Sequence, residues 1–276
     1  APIMTEQALD TYLKQEIAAF PCKTAVLAAE VESGKVLWAL HPDTQVVSAS
    51  TIKVPVLLAA LEEVRQGRLS LGQTLDLPAD MLLEDSQVFE YGPTSRSLWE
   101  LLYWMIVESD NTATNRVIST VGYDVINTYA KEVLGLRHTV CQRKMLDWDA
   151  IAAGRNNYTS AGDQFALYRK LCRGELLNDS LTAVALDMLR RQRSMDDILR
   201  YIPYPVDFAH KTGGLDYLSH DAGVFFQPGG DWFLGIFTWD GPSAEGDKRQ
   251  KMFIGRLAQA IYDAYGAPAP SFCSGG

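Results

Sequence analysis

The clearest chemistry in this sequence comes from a serine and a lysine three positions apart. Ser50 opens the stretch Ser50-Thr51-Ile52-Lys53, and no other Ser-x-x-Lys occurs in the chain. A serine hydroxyl is a weak nucleophile at neutral pH and needs a neighbouring base. Residues three apart on a helix share a face, so the Lys53 amine can reach the Ser50 hydroxyl. The pair predicts covalent catalysis, with Ser50 as nucleophile and Lys53 as its base.

A simpler interpretation is that Ser50 only caps a helix and Lys53 is a solvated side chain. Two further motifs, each present once, favour the catalytic interpretation: Ser109-Asp110-Asn111 and Lys211-Thr212-Gly213. A lysine acts as a base only when burial or a nearby cation lowers its pKa. We expect Lys211 to be that second cation.

The order and spacing of the three motifs, about 60 and then about 100 residues apart, resemble those of class A β-lactamases and penicillin-binding proteins. The resemblance runs along most of the chain. It implies a two-lobe fold, α/β plus all-α, in which an antiparallel sheet flanked by terminal helices carries an inserted helical lobe. It also implies an acyl-serine intermediate and no cofactor.

The resemblance assigns roles to the second motif. Ser109 would relay a proton to the leaving nitrogen, and Asn111 would bind the amide side chain of the substrate. Tyr91 lies where the family often places an aromatic residue at the rim of the pocket, although it could equally be a packing residue. Without the resemblance, Ser109-Asp110-Asn111 indicates an N-cap for a helix beginning near Thr112.

The third motif would hold the substrate. By the resemblance, Lys211 and Thr212 bind its carboxylate, and the N–H of Gly214 joins that of Ser50 as the oxyanion hole. A helix start at Ser50 would add the positive end of the helix dipole. The small residues Gly213 and Gly214 allow a substrate backbone to approach closely. A plain loop before a strand is the alternative.

Class A β-lactamases carry a glutamate that activates the deacylating water, and this sequence departs from that pattern. If Arg143 and Ser160-Ala161 anchor the two ends of the corresponding loop, Met145 falls near the place of the glutamate. No glutamate occurs between Glu132 and Glu175. Deacylation therefore needs another group.

Asp147 and Asp149 are the candidates for that group, although an aspartate is one methylene shorter than a glutamate. The alternative is that both are surface acids or helix caps. Three functions remain open. They are a β-lactamase, a penicillin-binding D,D-peptidase or other amide or ester hydrolase, and a sensor domain that stays acylated. The substrate would be a small β-lactam or a peptidoglycan-like molecule.

Apolar periodicity predicts the elements that must position these residues. Hairpins are expected where strand-like runs flank Ser33-Gly34 and Pro228-Gly229-Gly230-Asp231. Helices are predicted at about 6–19, 50–66, 97–107, from 112, 124–133, 161–171, 181–190 and 247–265.

Strands near both termini suggest a sheet closed by the two ends of the chain. We expect residues 1–48 and 195–276 to form the α/β lobe and residues 49–194 the helical lobe, with the active site in the crevice between them.

The composition is that of a globular protein, with 276 residues, 47% hydrophobic and 21% charged. A net charge of −9 without a basic run argues against nucleic-acid and anionic-membrane partners, and we expect a monomer. No histidine pair has zinc-ligand spacing and no phosphate-binding glycine loop occurs, so metal and nucleotide chemistry are disfavoured.

The sequence allows two cellular compartments. No signal peptide is visible, so either a leader has been removed, as in secreted or periplasmic relatives, or Met4 starts a cytosolic chain. Four widely spaced cysteines (Cys22, Cys141, Cys172 and Cys273) are expected to be free thiols, with a Cys22–Cys273 bridge as the alternative.

Overall fold

A computed structural model describes residues 4–266 of the chain. In this range the helices are α1 Glu6–Ala19, α2 Lys53–Arg65, α3 Leu98–Val107, α4 Asn111–Val121, α5 Tyr123–Thr128, α6 Trp148–Ala152, α7 Ala161–Cys172, α8 Asp179–Arg190 and α9 Arg249–Tyr265. The strands are β1 Lys23–Glu30, β2 Val36–Leu40, β3 Val46–Val47, β4 Thr74–Leu77, β5 Thr94–Ser97, β6 Tyr158–Thr159, β7 Phe208–Leu215, β8 Leu218–Phe225 and β9 Trp232–Trp239. Short 3₁₀ turns occur at Ala49–Ile52, Ala79–Met81 and Ile198–Tyr201, and a π-helical turn at Tyr129–Val133.

A five-stranded antiparallel sheet joins the two ends of the chain. Its strand order is β2-β1-β9-β8-β7, so the N-terminal hairpin pairs with the C-terminal strands through β1 and β9. Two small two-stranded sheets, β3 with β6 and β4 with β5, lie outside it. The predicted α/β fold with terminal helices around an antiparallel sheet is confirmed.

Both faces of the large sheet are covered, which explains why β1, β8 and β9 are buried almost throughout, including the polar residues Ser219, His220 and Asp221 of β8. Helices α1 and α9 cover one face, where Leu13, Phe253 and Leu257 join a core with strand residues. Helix α7 packs on the other face, where Tyr168 contacts Phe233. The core on that side continues into the helical part of the molecule, so the division into two lobes stays a prediction.

Helix α2 is the central helix of the helical part. Residues 51–61 are all buried, because the helix packs against α3, α4, α5 and α8. An apolar surface all around a helix is typical of one that is surrounded by protein. The turn that carries Ser50 therefore leads into the most enclosed helix of the fold.

The predicted elements agree with the structure with a few differences. The helix predicted to begin at Ser50 starts as the 3₁₀ turn Ala49–Ile52, and the one predicted at 124–133 splits into α5 and the π-helical turn. Lys211-Thr212-Gly213, placed before a strand by the sequence, lies within β7. The short strands β3, β5 and β6 lack the alternating pattern that reveals a strand, and β4, which does alternate, has only four residues.

No helix among the described residues is long and apolar enough to cross a membrane. Within residues 4–266, no group of three or more histidine, cysteine or acidic side chains could hold a metal ion. Cys22, Cys141 and Cys172 are free thiols, and burial raises the pKa of Cys141 to about 12. Cys273 lies outside the described residues.

Candidate active site

Ser50 lies at the base of an open cavity, in a turn that is fixed on both sides. The Ser48 carbonyl accepts hydrogen bonds from the Thr51 hydroxyl at 2.7 Å and the Thr51 N–H at 3.2 Å. The Ser48 N–H donates to the Asn157 carbonyl at 2.9 Å. Ala49, just before the serine, has a φ of 46°, a left-handed conformation that is uncommon for a residue with a side chain. Ser50 is half-buried and lines a cavity of about 400 Å³.

Lys53 is completely buried and reaches the second motif. Its Nζ lies 2.8 Å from the Ser109 carbonyl oxygen, 2.9 Å from Ser109 Oγ and 2.8 Å from Asn111 Oδ1. Within the described residues, these bonds go to Ser109 and Asn111 rather than to the Ser50 hydroxyl. Burial, together with the positive charge of Lys211, lowers the pKa of Lys53 well below its usual value.

Ser109 is held in position by its neighbours along the chain. Its φ is 56°, which turns the backbone between α3 and α4. Asp110 then caps α4, because its carboxylate accepts the Ala113 N–H at 2.8 Å. The cap predicted for this motif and its proximity to Lys53 therefore coexist in one turn.

Lys211 approaches Ser109 from the sheet. Its Nζ donates to Ser109 Oγ at 3.1 Å and to the carbonyl of Thr212 at 2.9 Å. Burial lowers the pKa of Lys211 to about 7, against the opposing effect of the Asp221 and Asp197 carboxylates. The structure thus brings the lysines of the first and third motifs to the same serine of the second.

Gln192 supports the third motif, a role that no local sequence pattern indicates. Its Oε1 accepts the Thr212 hydroxyl at 2.9 Å and lies 3.5 Å from Lys211 Nζ. Its Nε2 donates to the carbonyls of Ile106 and Val107 at the end of α3. Both ends of this buried amide are therefore used to join the helical part to β7.

Gly213 allows β7 to lie against the Ser50 turn. A Cβ at this position would lie 3.0 Å from the Ser50 nitrogen, 3.1 Å from the Ser48 oxygen and 3.1 Å from the Thr51 nitrogen. Because those are backbone atoms, the Ser50 turn or β7 would have to shift by a few tenths of an ångström to admit a side chain. Gly214, the next residue, is exposed and lines the cavity.

The segment that leads into α6 forms another wall of the cavity. Its lining residues are Arg143, Met145, Leu146 and Trp148. The Met145 N–H donates to Asn115 Oδ1 at 2.7 Å, and the Met145 carbonyl accepts from Asn115 Nδ2 at 3.2 Å. This pair of hydrogen bonds fixes the backbone of Met145, whose side chain is only 7% exposed.

Of the sequence-predicted site residues, Ser50, Asn111 and Gly214 line this cavity and the others do not. The Asp147 carboxylate accepts the Ala150 N–H at 3.0 Å and caps α6, and Asp149 is exposed in the first turn of that helix. Tyr91 is 95% exposed. Asp147 thus has the role of a helix cap, which was the alternative interpretation.

Two other carboxylates do line the cavity, those of Asp85 and Glu245. Asp85 Oδ2 accepts a hydrogen bond from Asn111 Nδ2 at 2.8 Å. Both residues are exposed and lie in loops. Neither belongs to a motif, so the sequence offered no signal that would have placed them here.

Comparison with known proteins identifies the family of this chain. Residues 8–265 match the model of the Beta-lactamase2 family, described as a β-lactamase enzyme family. The chain is 22% identical over 239 residues to the extended-spectrum β-lactamase PER-1 of Pseudomonas aeruginosa, covering 81% of this chain and 76% of that protein.

Two solved structures are similar over nearly the whole chain. The structure of PBP-A superposes with a TM-score of 0.83 at 26% identity, covering 93% of this chain and 95% of that one. A β-lactamase from Sphaerobacter thermophilus DSM 20745 gives a TM-score of 0.84 at 25% identity, covering 96% and 100% of the two chains. The chain therefore belongs to the β-lactamase enzyme family, within the superfamily of class A serine β-lactamases and penicillin-binding proteins.

Proposed function

We propose that this protein opens β-lactam rings by acylating Ser50 and releases the opened product slowly. The observation that carries the proposal is the meeting of Lys53 and Lys211 at the Ser109 hydroxyl, beside the cavity that Ser50 lines. Family membership supports a β-lactamase-like serine hydrolase. The particular steps below are inferred from the site.

Acylation begins with proton removal from Ser50. Neutral Lys53 takes the hydroxyl proton, and Ser50 Oγ forms a bond to the carbonyl carbon of the β-lactam. The carbon–nitrogen bond of the ring then breaks, and the nitrogen takes the Ser109 hydroxyl proton. Protonated Lys53 returns its proton to Ser109. The net result is an ester on Ser50 and a proton moved from its oxygen to the former lactam nitrogen.

The hydrogen bonds around Lys53 are compatible with this proton transfer. An ammonium would donate to all three of its neighbouring oxygens, whereas a neutral amine has two N–H groups and one lone pair. The neutral amine can donate to the Ser109 carbonyl and Asn111 Oδ1 and accept the Ser109 hydroxyl proton. Serine-to-lysine contacts often tighten only when substrate binds, so a rotation of Nζ toward Ser50 completes the base.

The remaining groups bind substrate. Lys211 and Thr212 are the proposed anchor for the carboxylate of a penicillin, and a charge-assisted hydrogen bond suits that contact. The N–H groups of Ser50 and Gly214 are the proposed oxyanion hole. Gly214 is exposed toward the cavity, which supports its part in this arrangement.

Release of the acyl group requires a water molecule that a base activates. Met145 and Leu146 line the cavity in the loop where class A β-lactamases have their glutamate, and Asp147 is used as a helix cap. The apolar side chains of this loop cannot remove a proton from water, and the two carboxylates on the cavity lining, Asp85 and Glu245, come from other loops. We infer that deacylation is the slow step.

A second function, that of a penicillin-binding D,D-peptidase or an acylated sensor, is favoured by the same Met145. Each would form the acyl-serine and release β-lactam product poorly. A D,D-peptidase would also hydrolyse a D-alanyl-D-alanine peptide, whereas a sensor would not turn over either substrate.

Pre-steady-state ring opening tests the proposal. Mixing the protein with benzylpenicillin should give a burst of opened rings equal to the protein concentration, followed by a much slower linear phase. A linear course of many turnovers without a burst would contradict slow deacylation. No ring opening at all would contradict acylation. Hydrolysis of a D-alanyl-D-alanine peptide, measured in parallel, separates the second function.

A further inference from the structure

We propose that Asp85 is a specificity-determining residue that favours β-lactams whose acyl group carries an ammonium group next to its amide. The inference rests on the proposed function, and specifically on Asn111 as the residue that binds the substrate's side-chain amide. It names a class of substrate that this site would acylate preferentially.

Both ends of the Asn111 amide are engaged by charged side chains. Its Oδ1 accepts from Lys53 Nζ at 2.8 Å, and its Nδ2 donates to Asp85 Oδ2 at 2.8 Å. Because an amide oxygen cannot donate to a carboxylate, these two bonds fix which end of the Asn111 side chain carries the NH₂ group. One N–H of that group is used by Asp85, and the other is left for a substrate carbonyl oxygen.

The remaining oxygen of the Asp85 carboxylate is available. Asp85 Oδ1 accepts no hydrogen bond from any described residue, and the side chain is exposed and lines the cavity. Two acceptors bound to one NH₂ group lie about 5 Å apart. A substrate carbonyl on Asn111 therefore brings the atoms attached next to it close to Asp85.

The charges on the cavity lining also favour a cationic substituent. Glu245, which is exposed, also lines the cavity, while the one described cation with a cavity-lining side chain, Arg143, is buried. Arg143 donates to Asn156 Oδ1 and to the Lys144 carbonyl. The accessible charges on the lining are therefore acidic, and a cationic substituent would be attracted.

Three penicillins with the same ring system and phenyl group make a matched test. Benzylpenicillin has no charged substituent next to the amide, ampicillin has an ammonium group there, and carbenicillin has a carboxylate. We would measure the second-order rate constant of Ser50 acylation for each. In the unmodified protein ampicillin should react about three to five times faster than benzylpenicillin, and carbenicillin more slowly.

The Asp85→Asn variant should remove that preference while keeping an acceptor for Asn111. Ratios between penicillins are the readout, because loss of the Asp85 charge also acts on Lys53 and changes all three rates together. Glu84→Gln is the control, since Glu84 is exposed, adjacent in sequence and not part of the lining. The Glu84→Gln variant should keep the preference for ampicillin. Added salt should weaken that preference in the unmodified protein.

Equal rates for ampicillin and benzylpenicillin in the unmodified protein would overturn the inference. So would an ampicillin preference that survives Asp85→Asn unchanged, or one lost equally in Glu84→Gln. If none of the three penicillins acylates Ser50, the proposed function fails, and the inference fails with it. If all three acylate Ser50 without discrimination, only the inference fails.

Discussion

Lys53 and Lys211 hydrogen bond the same oxygen atom, Ser109 Oγ, at 2.9 and 3.1 Å. Both lysines are buried, and burial together with the positive charge of Lys211 lowers the pKa of Lys53. The Ser109 hydroxyl can accept from Lys211 and donate to a neutral Lys53. This arrangement is compatible with the proposed roles of Lys53 as base and Lys211 as cation.

The rate of acylation should show a bell-shaped dependence on pH. It should rise as Lys53 loses its proton, and fall above pH about 7 because Lys211, whose pKa burial lowers to about 7, then loses the charge that holds the substrate carboxylate. The ratio kcat/KM, or the acylation rate constant at low substrate, reports these groups in the free protein.

Lys211→Arg is the matched variant for that prediction, because a guanidinium stays protonated across this range. The falling limb should move upward in pH by at least one unit, while the rising limb changes less. A falling limb at an unchanged pH in Lys211→Arg would show that another group controls it.

Burial of Lys211 should also make the free energy of unfolding depend on pH. The pKa is about 7 in the folded protein and near 10.5 in the unfolded chain, so between these values the unfolded chain binds more protons. Stability should therefore rise with pH in this window, by up to about 1.4 kcal/mol per pH unit from this group. Below about pH 7 Lys211 is protonated in both states, so the folded protein bears the full free-energy cost of burying its charge.

Urea unfolding of the protein and of Lys211→Met at pH 7.5, 8.5 and 9.5 measures this effect. As the pH rises, the free energy of unfolding of the unmodified protein should increase relative to that of the variant. Parallel curves for the two proteins would mean that Lys211 titrates near its ordinary pKa after folding.

Met145→Glu should accelerate deacylation. The side chain lines the cavity and its backbone is fixed by two hydrogen bonds to Asn115, so a carboxylate introduced there would be held beside the site. A positioned general base contributes about 10²- to 10⁴-fold, and we expect the lifetime of the penicillin adduct to shorten by at least tenfold.

Met145→Gln is the control for shape and polarity without a base. Its adduct should remain as long-lived as that of the unmodified protein. Equal acceleration in both variants would point to altered packing rather than to water activation, and no acceleration in Met145→Glu would remove residue 145 from the account of slow deacylation.

Gly213→Ala should slow acylation more than it destabilises the fold. Its added methyl group would lie 3.0–3.1 Å from backbone atoms of residues 48, 50 and 51, so β7 must move away from the Ser50 turn. Gly229→Ala is the control, because Gly229 lies in the turn between β8 and β9 and a Cβ there meets nothing within 4 Å. Similar acylation rates in the two variants, with adduct formation followed by mass spectrometry, would contradict the importance of this close approach.

The sequence predicted the motif residues and most of the long elements because both signals are local. Ser50 and Lys53 are three residues apart, and the apolar period that predicts α9 is visible within seventeen residues. The link from Lys211 to Ser109 could be expected only from the resemblance, since 102 positions separate the two residues.

The rest depends on tertiary contacts that no local pattern encodes. Gln192 and Asp85 act through partners 20 and 26 positions away. The orientation of the 143–149 loop is decided by Asn115, thirty residues earlier, whose amide binds both backbone groups of Met145. That contact leaves Met145 lining the cavity, and Asp147, two residues on, caps α6.

Intact-mass spectrometry of the protein mixed with benzylpenicillin, from seconds to hours, tests the central claim most directly. We expect a covalent adduct of one penicillin per chain that persists for many minutes, maps to the peptide containing Ser50 and is absent in Ser50→Ala. An adduct that forms equally in Ser50→Ala, or none in the unmodified protein, would contradict it.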